Sequence, residues 1–366
     1  MNLNVNVRPI RNVNIAVTGR CNLRCKYCFY TDEMTALRDL PTDKWLAFFE
    51  ELGRLKVMDV TLTGGEVFTR RDIFELIDGV IANRMRYTLL SNGTLIDEKT
   101  LAKFDEGKRR LRLNSIQISI DGSSAEINDR SRPKSFERAV RGLRLLKQVG
   151  FPVTVRTTIN RHNFRDLESI AYLLLEDIGV PSVGTNDAMP IGAGCENQGD
   201  VGLTSPEKAE AMEILSRLQE RYPGRLRATA GPQANRKMYA DMEHARSTGE
   251  MAESWQMGYL TACGCIFSNL DILHDGTIVP CHMLYGLTLG NIQTDSLEEI
   301  WRTHPVLEAM RNRRSIPMKA VAGCEQCAWT SYCNGGCPGL AYQLSGDFNR
   351  ANPADCYSRF LMEIKQ

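Results

Sequence analysis

Within the first 190 residues, short apolar strands alternate with amphipathic helices, and no other feature constrains the fold as tightly. Strand candidates at 13–18, 59–62, 87–90, 116–120, 153–157 and 182–185 are rich in β-branched residues. Between them lie helical patterns at 43–52, 71–81, 98–104, 136–149 and 164–175. In the first of these, Trp45, Phe48, Phe49 and Leu52 recur at helical spacing behind a capping Thr42. Six β-then-α units imply a parallel sheet with right-handed crossovers. Six is short of the eight that close a full barrel, so an α/β fold with an open, curved, partial barrel is expected.

Parallel sheets place their sites at the C-terminal ends of the strands. Every motif of this half falls there. Residues 21–28, CNLRCKYC, follow the first strand; Thr63-Gly64-Gly65-Glu66 follows the second, Ser91-Asn92-Gly93 the third and Asp121-Gly122 the fourth. Any one of these alone reads as an ordinary turn. Four on one rim read as a site.

The chain has 366 residues and a net charge of +1, which gives no global electrostatic case for nucleic acid or an anionic membrane. No run of eighteen apolar residues and no signal-peptide core is present, so a cytoplasmic location is expected. Twelve cysteines are the outlier. In a reducing cytosol clustered cysteines serve as metal ligands or catalytic groups rather than disulfides. Three lie near the N-terminus, eight between 263 and 356, and Cys195 stands alone. Domains are expected at 1–200 (barrel), 201–262 (linker and helical bridge, with a helix capped by Ser205) and 263–366 (a small metal-stapled domain). One helix is expected over 297–311.

Cys21, Cys25 and Cys28 are spaced C-x3-C-x2-C. Three thiolates can hold a [4Fe–4S] cluster and leave one iron open to a small molecule, whereas structural zinc needs four ligands. This triad after the first strand of a partial (βα)6 barrel, with Gly64-Gly65-Glu66 after the second strand and the aromatic Tyr27, resembles the radical S-adenosylmethionine (SAM) enzymes. The resemblance implies that SAM chelates the open iron and that an electron cleaves it to a 5′-deoxyadenosyl radical. It implies that Gly64, Gly65 and Glu66 bind the methionine amino group, with the glycines allowing close backbone approach. Ser91, Asn92, Ser119 and Asp121 would line the ribose and carboxylate side. Arg132 would pair with the methionine carboxylate, with Arg130 and Arg156 as alternatives.

Cys324, Cys327, Cys333 and Cys337 are spaced C-x2-C-x5-C-x3-C, Cys356 follows after eighteen residues, and Cys265-x10-Gly276-x4-Cys281 lies upstream. This resembles the SPASM domain, which implies auxiliary [4Fe–4S] clusters, two in its full form. On that resemblance Cys324, Cys327, Cys333 and Cys356 hold the outer cluster, and Cys281 and Cys337 help to hold the inner one. For its remaining ligands the chain offers only Cys263-Gly264-Cys265. Either both bind, or one binds (Cys263 is favoured) and an iron stays open.

The family resemblance leaves the substrate undetermined. His282 follows Cys281 where sulfatase-maturing relatives carry an aspartate, and histidine can take a proton near neutral pH. Cys195, after the sixth strand, could donate a hydrogen atom to a substrate radical, as an epimerase requires. The radical motif begins almost at once, so recognition of a peptide by the barrel, the SPASM domain or a separate partner, rather than by an N-terminal leader-binding domain, is expected. The expected function is radical modification, oxidation or cross-linking of a peptide or protein side chain, with a flavodoxin- or ferredoxin-type reductant as partner. The alternative is a dehydrogenase or epimerase of a small molecule such as an aminocyclitol.

Overall fold

A computed structural model describes residues 7–30, 36–251, 257–261 and 263–365, with the backbone but not the side chain of Cys265. The chain divides into two units: Met1–Ile15, Asp43–Val60 and Met238–Gln366 form the first, and Ala16–Thr42 with Thr61–Lys237 the second.

The second unit is a parallel sheet whose strands run in chain order from the end of β2 (Asp59–Thr63) through β3 (Arg86–Ser91), β4 (Leu113–Ser119), β5 (Val153–Ile159) and β6 (Val183–Asp187) to β7 (Leu226–Ala228). The strands expected from sequence lie within three residues of those found at each end. Period-two alternation divides their faces. Ile116, Ile118, Val153, Val155 and Val183 are buried on one face. The helix Phe136–Gln148 packs on β4 and β5, and Ile73–Ala82 on β3. The pattern expected as one helix over 164–175 starts as a 3-10 turn, continues as Leu167–Ala171 and ends in a π-turn, Tyr172–Asp177.

Three expectations shift. The stretch 201–262 contributes a strand, β7, as well as the helices Ser205–Arg221 and Gly231–Thr248. β7 pairs in parallel with β6 and is too short for a strand pattern to register. The cap of Ser205–Arg221 is Thr204, not Ser205: its hydroxyl accepts from Glu207 N while the Glu207 carboxylate accepts from Thr204 N at 2.8 Å. Residues 297–311 make two helices, Leu297–Thr303 and Pro305–Asn312, because Pro305 has no N–H to continue the first. His304 caps the second.

In the first unit β1 (Asn12–Ala16) pairs in parallel with β8 (Asn269–Ile272), with Asn12 opposite Asn269 and Ile15 opposite Ile272. Polar side chains match across the pair: Asn14 Nδ2 donates to Asp271 Oδ1 at 2.8 Å. β8 continues antiparallel into β9 (Thr277–Val279) and β10 (Gly290–Asn291). The helix Thr42–Arg54 buries Trp45, Phe48, Phe49 and Leu52, the face expected from sequence. Among the described residues no helix is long and apolar enough to cross a membrane.

Candidate active site

The loop carrying Cys21, Cys25 and Cys28 leaves β1 and is pinned from several sides. Val17 N donates to Thr63 O at 2.8 Å. Thr18 Oγ1 and Gly19 N both donate to Asp39. Further along, Asn92 Nδ2 donates to Asn22 Oδ1, Lys26 N to Ser131 O, and Lys26 Nζ pairs with Asp200 at 2.6 Å. A cofactor loop fixed at this many points can present three thiols without reorganising.

Gly64 and Gly65 serve this pinning. Gly65 N donates to Thr18 O and Glu66 N to Arg20 O, each at 2.8 Å. A Cβ on Gly65 would lie 2.6 Å from the carbonyl carbon of Arg20, and Gly64 has a φ of +147°. The close approach that demands glycine here is therefore made by the chain's own backbone. Glu66 is 1% exposed and its carboxylate is taken up: Ser91 Oγ (2.8 Å), Asn92 N (2.6 Å) and Phe68 N (3.2 Å) all donate to it. Burial raises its pKa, opposed by those bonds. Asn92 Oδ1 in turn accepts from Thr94 N. Glu66, Ser91 and Asn92 thus form a bracket joining the ends of β2 and β3.

At the end of β4 a buried trio assembles. Tyr27 Oη donates to Asp121, Arg132 Nη1 donates to Tyr27 Oη at 2.8 Å, and Arg132 Nε lies 3.7 Å from Asp121 Oδ2. Asp121 is fully buried and also accepts from Thr158 N. Burial opposes the charge of Arg132, but Cys25, Tyr27 and Asp121 outweigh it and hold its pKa well above the usual value. Its Nε makes no hydrogen bond. Arg130, an alternative alongside Arg156, is exposed and pairs with Glu126. Ser119 ends β4 beside Arg156 of β5.

Both cysteine regions suit iron–sulfur clusters. Among the described residues no three His, Cys, Asp or Glu side chains close around a single-ion point. The thiols group instead by mutual charge. Cys25 is pushed up to about 11, by burial first and then by Cys28 and Cys21 among its neighbours. In the first unit Cys333 is pushed up to about 11 by burial, with Cys356, Cys324 and Cys327 adding to it. Cys337 is also pushed up to about 11, by burial and then by Cys263 and Cys281. The auxiliary cysteines therefore separate into one set of Cys324, Cys327, Cys333 and Cys356 and another of Cys263, Cys281 and Cys337. Buried thiols disfavour the thiolate unless cations compensate it, and iron held there would provide that compensation. Backbone N–H groups already point at sulfur: Leu23 N at Cys21 and Gly335 N at Cys333. Beside the second set lies Arg313, fully buried, with Nε and Nη2 making no hydrogen bond. A buried, under-satisfied cation suits an anionic cluster.

His282 and Cys195 stand differently. Asp271 accepts from His282 N at 2.8 Å and meets its ring Nδ1 at 2.6 Å. Cys195 is exposed, in the short helix Ala193–Glu196 after β6. That turn packs on the cysteine loop: Asn197 Nδ2 donates to Lys26 O, and a Cβ on Gly192 would lie 2.7 Å from Cys28 O. Tyr27 as a partner of Asp121, Asp271 as a partner of His282, and Arg313 all escaped sequence reasoning, since each depends on contacts distant in the chain.

Comparison with known proteins agrees with this geometry. The radical SAM superfamily model matches residues 15–174, and the iron–sulfur cluster-binding SPASM model matches 263–328. An AdoMet-dependent heme synthase of Methanosarcina barkeri is 28% identical over 353 residues, covering 93% of this chain and 95% of that protein. A PqqA peptide cyclase of Granulibacter bethesdensis is 25% identical, covering 95% and 87%. The crystal structure of Streptococcus suis SuiB bound to the precursor peptide SuiA shares the fold, with a TM-score of 0.72 at 16% identity, covering 96% of this chain and 77% of that one. The two domain matches give this chain SAM, the [4Fe–4S] cluster that binds it and auxiliary iron–sulfur clusters as cofactors. The chain is a radical SAM enzyme with a C-terminal SPASM domain.

Proposed function

We propose that the enzyme is an oxidoreductase that removes a hydrogen atom from a peptide or protein side chain and passes the resulting electron to its auxiliary clusters. The observation that carries this reading is that the C-terminal cysteines fall into two neighbouring groups, Cys333 with Cys324, Cys327 and Cys356, and Cys337 with Cys263 and Cys281. Two further clusters there would serve to take up the electron left on the substrate. Similarity to a PqqA peptide cyclase along 95% of the chain supports a peptide substrate.

When bound, the reduced cluster supplies the electron that splits SAM into methionine and a 5′-deoxyadenosyl radical; a flavodoxin- or ferredoxin-type partner would reduce it. Cys21, Cys25 and Cys28 would hold that cluster. Backbone carbonyls of Gly64 and Gly65 would take the methionine amino group, and Arg132 and Ser119 its carboxylate side. Arg132 is held ready for this by Tyr27 and Asp121. Cys324, Cys327, Cys333 and Cys356 would hold one auxiliary cluster, and Cys263, Cys281 and Cys337, with Cys265, the other. Asp271 fixes the His282 ring through Nδ1, so a proton leaving the substrate would be taken at Nε2.

A second reading, a small-molecule substrate of the tetrapyrrole type, is favoured by the 28% identity to heme synthase over nearly the full length of both chains. Incubation of the reconstituted enzyme with SAM, reductant and side-chain-deuterated peptide should place deuterium in 5′-deoxyadenosine. Label from iron coproporphyrin III instead, the compound named for another relative, would select the second reading. An aminocyclitol epimerase would depend on Cys195.

A further inference from the structure

One row of side chains on the parallel sheet is charged and unspent. The register aligns Ser119 of β4 with Arg156 of β5, Arg156 with Gly184 of β6, and Gly184 with Arg227 of β7. In-register residues of parallel strands share a face. The opposite face at this height is apolar and closed by Ile118, Val155, Val183 and Leu226, all buried. The row therefore faces the same side as Asp121, two residues beyond Ser119. That places it one side-chain level, about 6.6 Å along the strands, from the Tyr27–Asp121–Arg132 trio.

At the trio's level polar groups satisfy one another: Asp121 with Tyr27, Arg132 and Thr158 N, and Thr158 Oγ1 with Asn186 Oδ1 at 3.2 Å. One level down they do not. Among the described residues neither the guanidinium of the partly buried Arg156 nor that of the solvent-exposed Arg227 has a hydrogen bond or ion pair. Burial lowers the Arg156 pKa with no opposing carboxylate. Gly184 makes the space: a Cβ there would sit 3.2 Å from Arg156 Nη1 and 3.5 Å from its Cδ. The Arg156 side chain thus leans across β6 toward β7. Its Cα and that of Arg227 stand two strand spacings apart, about 9.6 Å. Two forked cations across a glycine floor fit a carboxylate, which guanidinium binds through paired N–H groups.

We propose that Arg156 and Arg227, across Gly184, form a substrate subsite that binds a carboxylate and so orients the substrate beneath the SAM site. This rests on the proposed function and adds the substrate's chemical class: a side-chain carboxylate of a peptide or a carboxylate of a small molecule. Arg156 then belongs to substrate, and Arg132 to the cofactor side.

The test uses the SAM-loaded holoenzyme with glutarate as probe and glutaramide, its neutral counterpart, as control, read by calorimetry. Glutarate should bind saturably and glutaramide at least about tenfold more weakly, since charge-assisted bonds supply the difference. Arg156→Gln should weaken glutarate about ten- to hundredfold while SAM affinity changes less than about twofold; Arg156→Lys should recover part of the loss. Gly184→Ala, which keeps the arginine but crowds it, should weaken glutarate with the fold intact. Equal binding of glutarate and glutaramide, or an unaltered affinity in Arg156→Gln, overturns the subsite. Loss of SAM binding in Arg156→Gln also overturns it, by assigning Arg156 to the cofactor. A glutamate-rich peptide and iron coproporphyrin III, offered as competitors, separate the sources: displacement by either supports the subsite, and by neither contradicts it. Absence of 5′-deoxyadenosine formation in the wild type would sink the proposed function itself, a readout independent of glutarate binding.

Discussion

Gly65→Ala should break the attachment of the cysteine loop to the sheet. A new Cβ would lie 2.6 Å from the Arg20 carbonyl carbon, where ordinary contact begins near 3.4 Å. The neighbouring backbone must move by at least the difference, about 0.8 Å, since the Arg20 carbonyl oxygen lies closer still, and it is backbone rather than a flexible side chain. Two hydrogen bonds run through the contact, Gly65 N to Thr18 O and Glu66 N to Arg20 O, both 2.8 Å. Each contributes about 1 kcal/mol net. Overpacking adds about 1–3 kcal/mol, so the loop is destabilised by about 3–5 kcal/mol. Loss of the two bonds alone corresponds to about thirtyfold weaker SAM binding. The assay is SAM titration of the reduced cluster by electron paramagnetic resonance, with iron content and urea unfolding measured in parallel. Gly199→Ala serves as control, because a Cβ there meets nothing within 4 Å. It should stay within about 0.5 kcal/mol of wild type. A Gly65→Ala protein that matches this control in SAM affinity and stability would refute the claim that the glycines serve backbone packing.

Other substitutions probe the remaining parts. Arg132→Met strips Asp121 of its ion pair in a fully buried position and should cost about 3–5 kcal/mol in urea unfolding; a loss under about 1 kcal/mol would mean that the pair is not held as described. Asp271→Asn should lower product yield more than uncoupled SAM cleavage, because it loosens the His282 ring, and an equal fall in both would dismiss the proton-acceptor role. Removing the buried cation beside Cys263 and Cys337 in Arg313→Met should lower the reduction potential of one auxiliary cluster, as spectroelectrochemistry would detect. Cys195→Ala should abolish turnover while SAM cleavage continues if the enzyme is an epimerase; unchanged turnover would leave the oxidative reading standing.

Much of this was legible in the chain because strand–helix periodicity and cysteine spacing are local signals. The six strands, the rim motifs and the three cysteine groups all follow from residues near one another. What escaped depends on register and long-range contact. Glu66 looks from its motif like a ligand-facing carboxylate, yet three donors from its own and the neighbouring strand turn hold it inward. β7 has three residues, too few to show a period, and without it Arg227 has no known neighbour. Asp271 and His282 lie eleven positions apart and meet only because the β8–β9 hairpin folds back. Pro305 was visible, but helical spacing continues across it and masked the break.

The central claim is that Cys21, Cys25 and Cys28 make the radical and the C-terminal cysteines hold separate electron carriers. Its most direct test compares 5′-deoxyadenosine formation and iron content in the reduced wild type and in Cys21→Ala. The wild type should form 5′-deoxyadenosine from SAM; Cys21→Ala should form none while keeping about two-thirds of the iron, the share of two auxiliary clusters among three. Radical formation surviving in Cys21→Ala, or a complete loss of iron from it, would contradict the account.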